Sequence, residues 1–509
     1  MLEQISPVPI PAPASYLNRS TRKLIMVSNR GPVEHYFDDT GRIRRREAAG
    51  GVATALGSVA RQQPVTWIAT ATTDADKAVA ILDQRAQIGR ESELRLLNLP
   101  EKAFHAHYGV FCNPILWFVQ HSIGEQLMSR DLSAEALDAW REGYQPINEA
   151  FAAAVVEELD GDGAETQVML HDYHLYTAAR MIRAARPRAA LQHFLHIPWP
   201  GPGAWRQLPD SIVRRLCAGL LANDSIVFQT EASVAAFLAT CRAYLPDAKV
   251  LERQGEIEYL GQTTFVWSNP VSLDSRELET LRATPAFEMH RRGFEAPEGV
   301  KTIVRVDRLD PSKNVADGFE AFDLLLQRNP KLRGKVRFLS FLVPSRDTIP
   351  EYVTYRERVF GLIEAINRKY GTEDWTPITV FHEHNRMQAL AALTLYDVLL
   401  VNSLADGLNL VSKEGPVLNE RNGVLALSTT AGSYEELMGG ALPVNPYDIV
   451  DTADALERAL GMCAKERTQR QTAMRDAIAS HQTSDWLRQQ LRDLDISAHM
   501  KQIEASSIA

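Results

Sequence analysis

The feature that most constrains this chain is the regular return of short apolar runs separated by stretches with helical spacing. KLIMVSNR (23–30), VTWIAT (65–70), LRLLNL (94–99), QVMLHDYH (167–174), LQHFLHIP (191–198), DSIVFQT (224–230) and TTFVWSNP (263–270) form one series. TIVRVDR (302–308), VRFLSFLV (336–343), ITVFHEH (378–384), YDVLLVNS (396–403), GVLALSTT (423–430) and ALPVNP (441–446) form a second. Strands this apolar are buried on both faces, as parallel strands are. Their alternation with helices predicts an α/β fold of parallel sheets, each covered on two sides. At 509 residues the chain exceeds one ordinary core, so two domains of about 200–250 residues are expected. The segment from Val271 to Val300 is more charged and ends in the polar turn Ala296-Pro297-Glu298-Gly299, so the change of domain is placed near Val271. Residues 1–22 are Pro-rich, lack a basic-then-apolar signal pattern and read as a flexible tail.

Charge and cysteine usage exclude several functions. The net charge is −9, and the only dense basic stretch, Arg42–Arg46, is short and sits in an expected hairpin turning at Asp39-Thr40-Gly41, which argues against nucleic acid. No apolar run reaches membrane-spanning length. Cys112, Cys217, Cys241 and Cys463 lack paired spacing, which fits buried thiols in a reducing cytosol and neither disulfides nor a metal site.

The stretch most like a site is LADGLNLVSKEGPVLNE (404–420). A buried strand ends, Ala405-Asp406-Gly407 break it, and from about Asn409 the spacing turns helical. Ligands of open α/β sheets bind at such places, and a helix start offers unpaired N–H groups to an anion. Asp406 and Glu414 frame that start, roughly 8–12 Å apart by helix geometry. They suit opposite ends of a nucleotide sugar: Asp406 the hexose, the amides of Leu410 and Val411 the diphosphate, Glu414 the ribose. Asp406 also fits as an ordinary turn residue and Glu414 as a solvated one, so this stretch alone leaves both readings open.

Other stretches contribute in chain order. Arg30 ends the first strand, in Ser28-Asn29-Arg30-Gly31. Gly50 and Gly51 open a helix and let amides approach an anion, although a plain tight turn explains them as well. Tyr108 and Trp117 fit the core, or a wall for a sugar ring. His171-Asp172-Tyr173-His174 ends a strand with no third metal ligand nearby, and His382 and His384 share an expected strand face with equally poor metal odds. His196, in His196-Ile197-Pro198-Trp199-Pro200, stands at a strand tip stiffened by two prolines. Arg308 and Lys313 leave one strand tip as two cations able to clamp a diphosphate, and Arg346 ends the next strand.

Jointly, VSNRGPV (27–33), AGGVATAL (49–56), Tyr108, Leu116-Trp117, HDYHL (171–175), FLHIPWP (194–200), DRLDPSKN (307–314), VPSR (343–346), INRKYGTEDWTPI (366–378) and DGLNLVSKEGP (406–416) resemble the trehalose-6-phosphate synthase family of retaining glycosyltransferases, family 20. The resemblance implies a GT-B fold: two Rossmann-like domains, 23–270 for the acceptor and 271–483 for the nucleotide sugar, facing across a cleft. A C-terminal helix within 484–509 would cross back to the first. It implies glucosyl transfer from a nucleoside-diphosphate glucose to glucose 6-phosphate, without cofactor or metal, in the cytoplasm. Arg308 and Lys313 would hold the donor diphosphate with Gly50, Gly51 and the Leu410 and Val411 amides. His196 and Asp406 would contact the donor sugar and Glu414 the ribose. Arg30, Tyr108, Trp117, Asp172 and Arg346 would hold the acceptor and its phosphate.

Two departures matter. The family's tryptophan after the second strand aligns with Thr70, and its Asp-Tyr-x-Lys-Gly reads Asp310-Pro311-Ser312-Lys313-Asn314. The first opens the acceptor to glycerol 3-phosphate or a cyclitol phosphate, as in relatives that make glucosylglycerol phosphate or couple cyclitols. A non-catalytic nucleotide-sugar sensor is the rival from another class; retention of Arg308, Lys313, Asp406 and Glu414 speaks against it. The donor base and assembly into a homo-oligomer stay open.

Overall fold

The computed structural model describes residues 23–47, 64–82, 85–124, 133–161, 163–164, 166–481 and 483–508. The chain divides into two units, Met1–Pro270 with Ser484–Ala509, and Val271–Thr483.

The strands of the first unit are β1 (Lys23–Val27), β2 (Val33–Phe37), β3 (Ile43–Glu47), β4 (Val65–Thr70), β5 (Ala86–Gln87), β6 (Glu93–Leu97), β7 (Thr166–His171), β8 (Ala190–Phe194), β9 (Ser225–Phe228), β10 (Lys249–Leu251), β11 (Glu256–Tyr259) and β12 (Gln262–Ser268). The main sheet runs β10-β11-β12-β9-β8-β7-β1-β4-β6-β5, and β2 with β3 forms a separate hairpin. From β6 through β1 to β12 every pair is parallel; β5, β10 and β11 add antiparallel edges. β4, β7 and β8 are buried at every residue, as expected of strands covered on both faces. Ile25, Val27, Val168, Leu170 and Leu191 pack into one core with Phe151 and Val155 of the helix Gln145–Glu158. Each such side chain contributes roughly 1.5–3 kcal/mol by leaving water.

The second unit holds β13 (Lys301–Arg308), β14 (Val336–Val343), β15 (Ile378–Phe381), β16 (Val398–Val401), β17 (Val424–Ser428) and β18 (Leu442–Val444). They form one parallel sheet, β15-β14-β13-β16-β17-β18. Alternation places Ile303, Leu400 and Ala426 in a core on one face and Val304, Leu399 and Leu425 in a core on the other.

Several expectations change. β15 stops at Phe381, so His382 and His384 lie beyond the strand and share no strand face. The short antiparallel strands β10 and β11 carry no long apolar run and escape a reading based on one. Cys112, Cys217 and Cys241 are buried, but Cys463 is exposed. The C-terminal helix spans Thr483–Ile508, well beyond its aromatic start at Trp486. It packs on the first unit's sheet: Gln167 Nε2 donates to the Leu491 carbonyl at 3.1 Å and to Asp495 Oδ1 at 2.9 Å, and Trp486 meets Phe194 edge-on. Among the described residues no helix is long and apolar enough to cross a membrane.

Candidate active site

In the second unit the strand order reverses between β13 and β16. A crevice at that switch is the usual ligand position of a doubly wound sheet. Residues 309–314 leave β13, and residues 402–410 leave β16. The Leu404 amide donates to the Ser312 carbonyl at 2.9 Å and ties the loops together. Across them Lys313 Nζ forms an ion pair with Asp406 Oδ2, both side chains nearly buried. Asn409 Nδ2 donates to the same oxygen at 3.0 Å. Arg308, the last residue of β13, is half-buried on this tip.

Asp310 organises the β13 loop from inside. It is fully buried; its Oδ1 accepts from the Ser312 amide at 3.0 Å and hydroxyl at 2.8 Å. Its Oδ2 accepts from Arg346 Nη1 and from the Tyr352 hydroxyl, both at 3.0 Å. Arg346, at the tip of β14, therefore leaves only 7% of its side chain accessible. The residues Pro311 and Asn314 that replace the family's pattern leave this arrangement standing, because Asp310, Ser312 and Lys313 carry it.

The helix after β16 spans Val411–Leu418, two residues later than its spacing suggests. Asn409 takes a left-handed backbone (φ 83°), and its Oδ1 accepts from the Ser412 amide at 3.0 Å, so it caps the helix from outside. The amides of Leu410 and Val411 stand at the helix start, ahead of any intrahelical acceptor. Glu414 is nearly buried, and burial raises its pKa. Arg386 holds it: Nη2 donates to Glu414 Oε1 at 3.3 Å while Nη1 pairs with Glu277 Oε1 at 2.7 Å.

In the first unit the order reverses at β1 and β7. Arg30 follows β1 and is exposed. Asp172 follows β7 with φ 69°, a conformation that costs a non-glycine residue roughly 1–3 kcal/mol and marks functional turns. Its Oδ1 accepts from the His196 amide at 3.3 Å, and its carbonyl lies 3.0 Å from His193 Nε2. His196 Nε2 lies 3.3 Å from His171 Nδ1, one donating and one accepting. Burial depresses all three imidazoles: His171 well below its ordinary value, His193 to about 4 and His196 to about 3. Tyr108 stacks between Phe104 and His174 at centroid separations of 5.6 and 5.9 Å. Trp117 packs on His121 and Tyr173 with 4% of its surface accessible. Thr70 is buried at the end of β4, its hydroxyl 3.5 Å from Asn29 Oδ1. Gly50 and Gly51 lie outside the described residues.

The second unit thus joins Lys313 to Asp406, with Arg308 at the end of β13, and the first joins Asp172 to His196. Sequence reasoning missed Arg386 and the buried Arg305, Asp307 and Asn402 beneath Lys313. The available signal was a charge inside an apolar strand, TIVRVDR, since a buried cation demands partners. Among the described residues no group of three or more His, Cys, Asp or Glu is arranged to hold a metal ion.

The model of glycosyltransferase family 20 matches residues 22–496. The chain belongs to glycosyltransferase family 20. Its fold is GT-B, with two Rossmann-like units. An alpha,alpha-trehalose-phosphate synthase [UDP-forming] of Schizosaccharomyces pombe is 30% identical over 476 residues, 92% of this chain and 89% of the relative. A solved E. coli trehalose-6-phosphate structure bound with UDP-2-fluoro glucose is 28% identical, TM-score 0.78, covering 93% of this chain and 98% of that one. A Burkholderia xenovorans alpha,alpha-trehalose-phosphate synthase in complex with glucose-6-phosphate is 28% identical, TM-score 0.78, covering 93% and 100%. The family 20 chain spans about half the length of two Arabidopsis thaliana relatives it matches, 56% and 51%.

Proposed function

We propose that this family 20 glycosyltransferase moves glucose, with retention, from a nucleoside-diphosphate glucose to glucose 6-phosphate, giving trehalose 6-phosphate. The observation that carries the reading is the Lys313–Asp406 pair at the switch point of the second unit, beside the helix start at Leu410 and Val411 and the buried Glu414. That order, carboxylate, cation, amides, carboxylate, matches hexose, diphosphate and ribose. UDP-glucose is the first donor to test, because the S. pombe relative is UDP-forming.

As the glycosidic bond to the diphosphate breaks, negative charge grows on the leaving phosphate and positive charge on the sugar carbon. Arg308, Lys313 and the two amides stabilise the first, and one such preorganised donor contributes roughly 3–4 kcal/mol to the barrier. Asp406 orients the hexose and keeps Lys313 in place. The leaving phosphate takes the acceptor's proton on the same face, so no protein nucleophile is required. His196, neutral at physiological pH, hydrogen-bonds sugar hydroxyls without adding a charge beside the cationic carbon. Arg346, already oriented by Asp310, takes the acceptor phosphate. Tyr108, Trp117 and Asp172 take its ring. Glycerol 3-phosphate is the second reading for the acceptor, because Thr70 offers no aromatic wall.

The test is release of nucleoside diphosphate with and without glucose 6-phosphate, with the product identified by mass and anomeric configuration. Release that ignores every phosphorylated acceptor, or a product with inverted configuration, overturns the reading.

A further inference from the structure

β13 carries a charge inside a buried run. Arg305 sits between Val304 and Val306, in the strand flanked by β14 and β16, and none of its surface is exposed. Its guanidinium is fully engaged. Nε donates to Asp307 Oδ2 at 3.0 Å and Nη1 to the Val315 carbonyl at 3.3 Å. Nη2 donates to the Lys313 carbonyl at 3.0 Å and to Asn402 Oδ1 at 2.9 Å. Asn402 Nδ2 in turn donates to the Asn314 carbonyl at 3.1 Å. The carbonyls of residues 313, 314 and 315 are all held from inside the sheet, and Asn402 begins the loop that carries Asp406. Gly318, in the helix Val315–Arg328, leaves the room: a Cβ there would lie 2.4 Å from Nη1.

Stability does not explain this arrangement. Burying two charges costs several kcal/mol, and an apolar residue of like volume packs as well or better. Valine or isoleucine would serve a central parallel strand. The cluster instead solves an electrostatic problem. Asp307 is buried among the same groups, and burial raises its pKa while Arg305 first, and Lys313 second, oppose that rise. With Arg305 removed, Lys313 becomes the main cation left to neutralise Asp307.

We infer that Arg305 is a positioning residue of the donor site: it neutralises Asp307 and pins the loop backbone, so that the Lys313 ammonium is kept for Asp406 and the donor diphosphate. The inference rests on the reading of Lys313 as a diphosphate residue. It is tested by coupling, which a merely structural role would not produce. UDP binding is measured by calorimetry, with thermal unfolding in parallel, on the wild type, Lys313→Ala, Arg305→Met/Asp307→Asn and the triple variant. The Arg305→Met/Asp307→Asn pair leaves no unpartnered charge in the sheet. It should bind UDP about fivefold or more weakly, while the triple variant stays within about twofold of Lys313→Ala, because residues acting through one another are not additive. Gly318→Ala keeps every charge and presses on Nη1; it should weaken UDP about threefold in the wild type and add nothing to Lys313→Ala. If the double substitution fails to fold, Gly318→Ala decides alone. Additive losses, or unchanged affinity in both folded variants, overturn the inference. A wild type that binds no UDP overturns the donor reading as well, and the two failures are told apart by that single titration.

Discussion

The two units build their site residues at corresponding places in the fold, the carboxyl ends of central parallel strands, from opposite electrostatics. In the second unit the candidate site is built from charges held by other charges: Lys313 by Asp406, Arg346 by Asp310, Glu414 by Arg386, Arg305 by Asp307. In the first, His171, His193 and His196 cluster about Asp172 as uncharged imidazoles, kept so by burial. A diphosphate leaving group needs fixed positive charge, and paired charges stay in place when the ligand leaves. A sugar ring whose carbon becomes cationic needs hydrogen bonds without net charge. On the proposed reading, the charged residues serve the leaving diphosphate and the uncharged imidazoles the donor sugar.

The largest effect expected from breaking that contrast lies on the charged side. Arg308→Ala or Lys313→Ala should lower turnover by on the order of a hundredfold or more with thermal unfolding little changed. Steady-state kinetics beside a melting curve checks it, and near-normal turnover in both variants would remove the donor assignment.

Next comes Arg346, a charge assigned to the acceptor. A buried charge-assisted hydrogen bond contributes roughly 1.5–3 kcal/mol, so Arg346→Ala should raise KM for glucose 6-phosphate roughly tenfold or more. The comparison sharpens with glycerol 3-phosphate as competitor: preference for it would keep the phosphate contact and reject glucose 6-phosphate. Equal use of phosphorylated and unphosphorylated acceptors would reject the phosphate contact itself.

Acid should separate the units by stability. His107 is pushed to about 3 and His193 to about 4 by burial, against about 6.5 when unfolded. Between those values the unfolded state binds more protons, so stability falls as pH drops from 6.5, by roughly 1.4 kcal/mol per pH unit for each imidazole. Asp307 and Glu414 are shifted the other way: burial raises their pKa, so their protons favour the folded second unit at acid pH. Hydrogen exchange at pH 7 and 5 should show the first unit's core strands losing protection before those of the second. Equal loss in both would contradict the imidazole account.

How much of this was legible differs between backbone and side chain. β4, β13 and β14 stand where the apolar runs place them, because a two-sided buried strand has little freedom in composition. The hairpin β2–β3 was legible from its turn, where Gly41 takes φ 76°. β10 and β11 were not, since KVL and EIEY are short strands without a long apolar run, antiparallel at one end of the sheet. Asp406, Lys313 and Glu414 were legible as candidates because a strand end, a tight turn and a helix start leave marks in sequence. That Lys313 meets Asp406 was not, for the partners come from loops after different strands. Arg305 reads in sequence as one exception in an apolar run; its role depends on Gly318 and Asn402, which only the fold brings to it.

The smallest effect expected is none at all, on removing divalent ions. Many phosphate-handling sites use a metal to neutralise the leaving group. On the proposed reading the same charge falls to Arg308 and Lys313, joined by the amides of Leu410 and Val411 at a helix start, where the partial positive charge suits an anion. Asp406 and Glu414, carboxylates of the kind that recruit a cation, are each already paired with one, Lys313 and Arg386. Turnover with saturating donor and acceptor should therefore be unchanged by EDTA, and added magnesium or manganese should neither raise kcat nor lower the donor KM. Lys313→Ala sharpens the point: if the ammonium occupies the place a metal takes elsewhere, removing it should allow a divalent ion to restore part of the lost rate. Loss of wild-type activity on chelation, recovered by a single divalent ion, would show that paired side chains do not suffice as the counter-charge, and the contrast between the two units would then need a metal on its charged side.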